Sequence, residues 1–160
     1  MMIAPTKPPS AGDAALMTTT AALLEQGRAL DRLSRLLTAA AVVLLLLLAL
    51  FADQTPPDLS GPLAMALALT ALLGLAELYF AFRVGFDAAL FRQLAADPTP
   101  TGLETLDASL AELGLRPATA GSRPLAERIR GARKLLRRQA LCLALQLATL
   151  VVAAGLLALQ

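Results

Sequence analysis

Histidine and tryptophan are absent from this chain, and cysteine occurs once, at Cys142. A single thiol excludes an intramolecular disulfide. Without histidine, the usual Cys/His metal sites and nucleophile–imidazole pairs cannot be built. Charge is scarce too: 16% of the 160 residues are charged, against about a quarter in an ordinary soluble domain. The net charge of +2 is too small to mark a nucleic-acid partner. Aromatic residues make up only 4%, and none interleaves the basic run that precedes the last apolar block, so the stacking platform of a nucleic-acid binder is missing. No glycine-rich phosphate loop occurs. These absences point to a non-enzymatic protein without cofactor or metal.

What is present is apolar sequence, 57% of the chain, gathered into three blocks. The first, Leu36–Ala52, holds seventeen residues without a charge, near the lower limit for crossing a hydrocarbon core of about 30 Å. The second, Pro62–Phe82, is broken only by Glu77. The third, Gln139–Gln160, has no charge. The first block reads as a retained signal anchor rather than a cleaved signal peptide. The 35 residues before it are too many for a usual n-region, and "LALFADQ" lacks small residues at both cleavage positions.

The charges between the blocks set an orientation. Arg28, Arg32 and Arg35 precede the first block, the segment 53–61 carries Asp53 and Asp58 but nothing basic, Arg83 and Arg92 follow the second, and Arg133, Lys134, Arg137 and Arg138 precede the third. Basic flanks stay on the cytoplasmic side. The N-terminus and residues 83–138 are therefore expected inside, and the C-terminus outside. Arginine outnumbers lysine twelve to two among abundant alanine and leucine, a bias that suggests a GC-rich bacterial genome and hence the inner membrane.

The expected fold is an all-α integral membrane protein, with three transmembrane helices extended into an antiparallel cytoplasmic bundle. Residues 1–15, rich in proline, glycine and small residues, read as a disordered tail. Leu16, Leu23, Leu30 and Leu37 repeat every seven residues, so residues 16–52 read as a cytoplasmic helix continuing into the first span. An external loop, 53–61, leads to a second helix over 62–97, whose cytoplasmic extension stops before Pro98. Within 98–123, Thr101 and Glu104 form a capping box. Leu103, Leu106, Leu110 and Leu113 make a narrow stripe opposite Glu104, Asp107 and Glu112, and Gly114 provides the stop. From 124 to 160, with Ser122 as N-cap, Leu125, Ile129, Ala132, Leu136 and Gln139 line one face of a helix that continues into the third span.

Two stripes carry the strongest functional signal. Ala66, Thr70, Gly74, Glu77 and Ala81 step by four, four, three and four along the second span, and Gln139, Cys142, Gln146, Thr149 and Ala153 match them on the third. Small residues let helices approach, and amides fasten them. Glu77 lies six residues from Arg83 and Gln146 eight from Arg138. By helical rise they are roughly 9 and 12 Å from the cytoplasmic end, and a direct hydrogen bond between them is expected. The first span has no such stripe beyond Thr38 and Ala41, and reads as the one facing lipid or a partner. Gly74 and Gly155 read as packing notches, and Cys142 as a small apolar filler.

A carboxylate inside a span is costly unless it faces protein or water. Glu77 therefore has two readings, the seam of a structural bundle or an ion, proton or partner-subunit contact. The basic run containing Arg128, Arg130, Arg133, Lys134, Arg137 and Arg138 serves as a topology signal in contact with anionic headgroups, or docks an acidic partner. The functional expectation is an accessory or scaffold subunit of an inner-membrane complex, its partners being lipids and other membrane subunits or further copies of the chain. The alternatives are an oligomeric channel or transporter built around Glu77, and a holin-like pore former.

Overall fold

In the computed structural model, the described residues are 11–54, 56–96, 105, 108–109, 111–112, 114 and 124–158. Among them the chain is all-helical and contains no strand. The helices are α1 (Ala11–Glu25), α2 (Gly27–Leu50), α3 (Pro57–Ala96) and α4 (Leu125–Ala158), with a short 3-10 turn at Ala52–Gln54. Three stretches, Gly12–Leu50, Asp58–Ala96 and Leu125–Ala158, are long and apolar enough to cross a membrane. α3 has 40 residues and α4 has 34, well beyond the roughly 20 that a bilayer core requires.

The helix boundaries differ from the sequence reading at the starts of α1 and α3 and at Gln26, which divides the helix expected over 16–52. α1 begins at Ala11, so residues 11–15 are helical although they were expected in the tail. Asp13 in its first turn complements the exposed N–H groups there. α3 begins at Pro57, taking over half of the expected external loop. The Pro56 carbonyl accepts from the N–H groups of Leu59 and Ser60, both at 3.0 Å, and Pro57 occupies the first helical position, where a missing N–H costs nothing. Between α1 and α2, Gln26 keeps helical dihedrals (φ −62°, ψ −24°) while its carbonyl accepts a tighter bond from Ala29.

At α4 the Pro124 carbonyl caps the start by accepting from Glu127 and Arg128. Thr105, Ala108, Ser109, Ala111 and Glu112 are helical. Gly114 follows with φ +68° and donates to the Ala111 carbonyl, the left-handed stop that glycine adopts without a Cβ penalty. The capping box at Thr101, the leucine stripe from Leu103 to Leu113, Glu104, Asp107 and the Ser122 cap lie outside the described residues.

The chain divides into two compact units. The first comprises α1, the part of α3 from Gly85 onward and α4 up to Arg133. Its buried apolar side chains are Met17, Ala21 and Leu24 on α1, Ala88, Phe91 and Leu94 on α3, and Ala132 on α4. Arg92 pairs with Glu25 at 2.6 Å on its surface. The leucine repeat itself is not the buried face of α1, since Leu16 and Leu23 are exposed and Met17, Thr20, Ala21 and Leu24 take the interior. Leucine is so frequent here that its own spacing does not mark the inward face.

The second unit comprises α2, α3 up to Val84 and α4 from Lys134. Its interior is a seam in steps of seven. Gly27, Ser34 and Ala41 are the buried positions of α2, matched by Leu63, Thr70, Glu77 and Val84 on α3 and by Gln139, Gln146 and Ala153 on α4. Pairing runs upward together on α2 and α4 and downward on α3. Thus Gly27 and Glu77 meet Gln139, Ser34 and Thr70 meet Gln146, and Ala41 and Leu63 meet Ala153. The last of these layers is wholly apolar, completed by Leu67 with Leu45, Leu48, Ala66 and Leu150 packed around it. Leu67, Gly74 and Leu143 are buried between these levels, so α3 and α4 step by four and three, the pattern by which helices wind about one another.

Candidate functional site: a buried polar seam

Two of the three layers are polar. The upper one centres on the Gln146 side chain, which is fully buried. Ser34 Oγ donates to Gln146 Oε1 at 2.9 Å. Gln146 Nε2 donates to Thr38 Oγ1 at 2.8 Å, with longer approaches to the carbonyls of Ser34 and Thr70 at 3.4 and 3.3 Å. The hydroxyls of Thr70 and Thr149 lie 2.7 Å apart, and each also reaches a carbonyl of its own helix, Ala66 and Gln146 respectively, at 2.8 Å. A hydroxyl has one hydrogen, so one threonine donates to its backbone and accepts from the other. Thr38 returns its own hydrogen to the Ser34 carbonyl.

The lower layer centres on Glu77 and Gln139, both fully buried. Gln139 Nε2 donates to Glu77 Oε1 at 2.7 Å and to the Gly27 carbonyl at 2.9 Å. Gly27 is small for a reason: a Cβ there would come within 2.9 Å of Gln139 Oε1 and 3.1 Å of Val84. Gly74 is tighter still, because a Cβ would collide with the Thr38 hydroxyl and stand 2.7 Å from Gln146 Nε2. Gly155, expected as a second notch, has nothing within 4 Å of that position.

The structure therefore gathers Thr70, Gly74, Glu77 and Gln146 into one interior, with Thr149 half-buried at its edge and Cys142 half-buried on α4. It does not pair Glu77 with Gln146. The partner of Glu77 is Gln139, one heptad earlier. The discrepancy comes from using the nearest arginine as a depth mark. Level with Glu77, Gln139 directly follows Arg138, whereas Arg83 is six residues from Glu77 along α3. The two arginines are thus offset by about five residues, or roughly 7.5 Å of helical rise.

The contribution of α2 was also missed. Ser34 and Gly27 are seam residues, and Thr38 and Ala41 join them, so α2 meets α3 and α4 instead of only facing outward. The signal was available: Gly27, Ser34 and Ala41 are small residues spaced by seven, in phase with Gln139, Gln146 and Ala153. Of the basic run, Arg130, Arg133, Lys134, Arg137 and Arg138 are exposed and Arg128 is half-buried, while on the other face Ala132 and Gln139 are buried and Leu125, Ile129 and Leu136 half-buried. Among the described residues no group of acidic, cysteine or histidine side chains is placed to hold a metal. No protein-family model, curated protein or solved structure matches the chain.

Proposed function

We propose that this chain is a non-enzymatic accessory or scaffold subunit of a bacterial inner-membrane complex, crossing the bilayer three times. The observation that carries the reading is where the polar groups go. Ser34, Thr70 and Gln146 are buried and bonded together within one chain, and so are Glu77 and Gln139. The outward residues of the same helices, such as Leu36, Leu50, Met65, Phe82 and Val151, are large and exposed. In this reading the polar stripes lock the three spans into a unit, and the apolar outer faces meet lipid and neighbouring subunits. The fully buried position of Glu77 favours this over a pore that several copies would build around its carboxylate.

The basic residues Arg28, Arg32, Arg35, Arg83, Lys134, Arg137 and Arg138 flank the apolar part of the second unit on all three helices. We take that flank as the cytoplasmic side, where it contacts anionic headgroups and acidic partners. An alkaline phosphatase fused to the C-terminus is then active in cells, and an inactive fusion reverses the orientation. For the scaffold role, affinity purification of the tagged chain in mild detergent is expected to recover stoichiometric membrane proteins. Recovery of a lone monomer at every detergent tried counts decisively against it.

A further inference from the structure

The Glu77–Gln139 layer stands apart in its hydrogen bonding. Two of its oxygens, Glu77 Oε2 and Gln139 Oε1, are buried without any hydrogen-bond partner among the described residues. Native interiors pair nearly all such atoms, so two orphans within one bonded pair call for a cause. The nearby donors are already engaged. Both hydrogens of Gln139 Nε2 go to Glu77 Oε1 and the Gly27 carbonyl. Ser34 stands near the Glu77 carboxyl, but its single hydrogen goes to Gln146 Oε1. Gly27 brings no side chain at all. The layer lacks one donor.

We propose that Glu77 and Gln139 form a buried binding site for one proton. The proton adds to Glu77 Oε2, making a new O–H bond and turning that oxygen from acceptor to donor. The O–H then donates to Gln139 Oε1 while Gln139 Nε2 continues to donate to Glu77 Oε1. Acid and amide close a paired ring in which both orphan oxygens are satisfied by the single added hydrogen. A metal cation fits less well, because it needs several free oxygens, and here Glu77 Oε1 and the Gly27 carbonyl already accept from Nε2.

The other charged or titratable groups facing the carboxyl are Asp31 and Arg35 on α2 and Cys142 on α4. Asp31 and Arg35 are occupied with each other at 2.6 Å. On α3, Glu77 is the only charged residue between Asp58 and Arg83. The site lies at the level of Arg28 and Arg138, the immediate chain neighbours of Gly27 and Gln139, beside the basic flank.

Infrared spectroscopy of the full chain in phosphatidylethanolamine–phosphatidylglycerol vesicles, across a pH series, tests this. The expected result is one buried carboxylic-acid C=O stretch that disappears in Glu77→Gln and moves to higher frequency in Gln139→Leu, where the amide partner is gone. Glu77→Gln keeps its fold and melting temperature, because its amide N–H donates to Gln139 Oε1 as the acid O–H does. A carboxylate signature at every pH where the protein remains helical would overturn the proposal, as would an acid band that survives in Glu77→Gln. Displacement of the band by sodium at fixed pH would assign the site to a metal cation instead. If Gln139→Leu does not fold, Glu77→Gln alone decides: loss of the band with an unchanged melting temperature supports the site, and unfolding of this variant rejects it.

Discussion

The two polar layers of the seam are seven residues apart on the same three helices and use similar parts, yet one is closed and the other is not. Each takes a small residue from α2 and a glutamine from α4. The layer of Ser34, Thr70 and Gln146 adds hydroxyls, from Ser34, Thr38, Thr70 and Thr149. A hydroxyl both donates and accepts, so a set of them can rotate until every atom is matched. The layer of Gly27, Glu77 and Gln139 adds a carboxylate, which only accepts, opposite a glycine that offers nothing beyond its backbone. The same amide therefore reaches full pairing at Gln146 and leaves orphans at Gln139. Donor supply, not burial, separates a structural lock from a candidate binding site, since both glutamines are equally inaccessible.

The largest break in that comparison comes from Gly74, which sits on α3 between the two layers. A side chain there meets Thr38 Oγ1 and Gln146 Nε2, both members of the closed layer. Overpacking a tight interior typically costs 1–3 kcal/mol, and with a hydrogen-bonded pair pried apart as well, Gly74→Leu is expected to cost about 3 kcal/mol. Thermal unfolding in detergent micelles, followed by far-ultraviolet circular dichroism, measures it. An unchanged midpoint would mean that α2 and α3 can separate at no cost, and that the closed layer does not hold them together.

The sequence disclosed the helices and their apolar stretches because runs of uncharged residues and proline boundaries are local signals. It also placed Thr70, Gly74 and Glu77 on one face, since a step of four, three and four is a property of a single helix. It did not disclose which residues on different helices share a level. That depends on how far one helix slides along another, and arginines at the flanks are poor rulers because their side chains reach several ångströms to find water. Gly27 and Ser34 escaped notice for a related reason. Neither is polar or bulky enough to stand out among leucines, and their meaning appears only when their spacing of seven is laid beside that of Gln139 and Gln146. The proline at 56 and the short 3-10 turn after Phe51 shortened the loop between α2 and α3 through capping by a carbonyl, which leaves little trace in composition.

A finer separation of the layers comes from Gln146→Leu. Leucine keeps the volume and the helix propensity, so the change isolates polar pairing. It removes the acceptor of Ser34 Oγ and the donor to Thr38 Oγ1. Neither hydroxyl is left wholly stranded: Thr38 still donates to the Ser34 carbonyl, and a serine in a helix can turn its hydrogen to the carbonyl one turn back. Interhelical hydrogen bonds in membranes average about 0.6 kcal/mol and seldom exceed about 1.7. The expected loss is thus about 1–2 kcal/mol, smaller than for Gly74→Leu although the residue makes more hydrogen bonds. A loss near 3 kcal/mol or more would show that the hydroxyls cannot re-pair, and that the closed layer depends on its central amide as strictly as the Glu77 layer depends on its missing hydrogen. The bonds within the lower layer are untouched in Gln146→Leu, so the acid band of Glu77 should persist, and a move to lower frequency would mean that the freed Ser34 hydrogen turns to the nearby carboxyl and links the two layers.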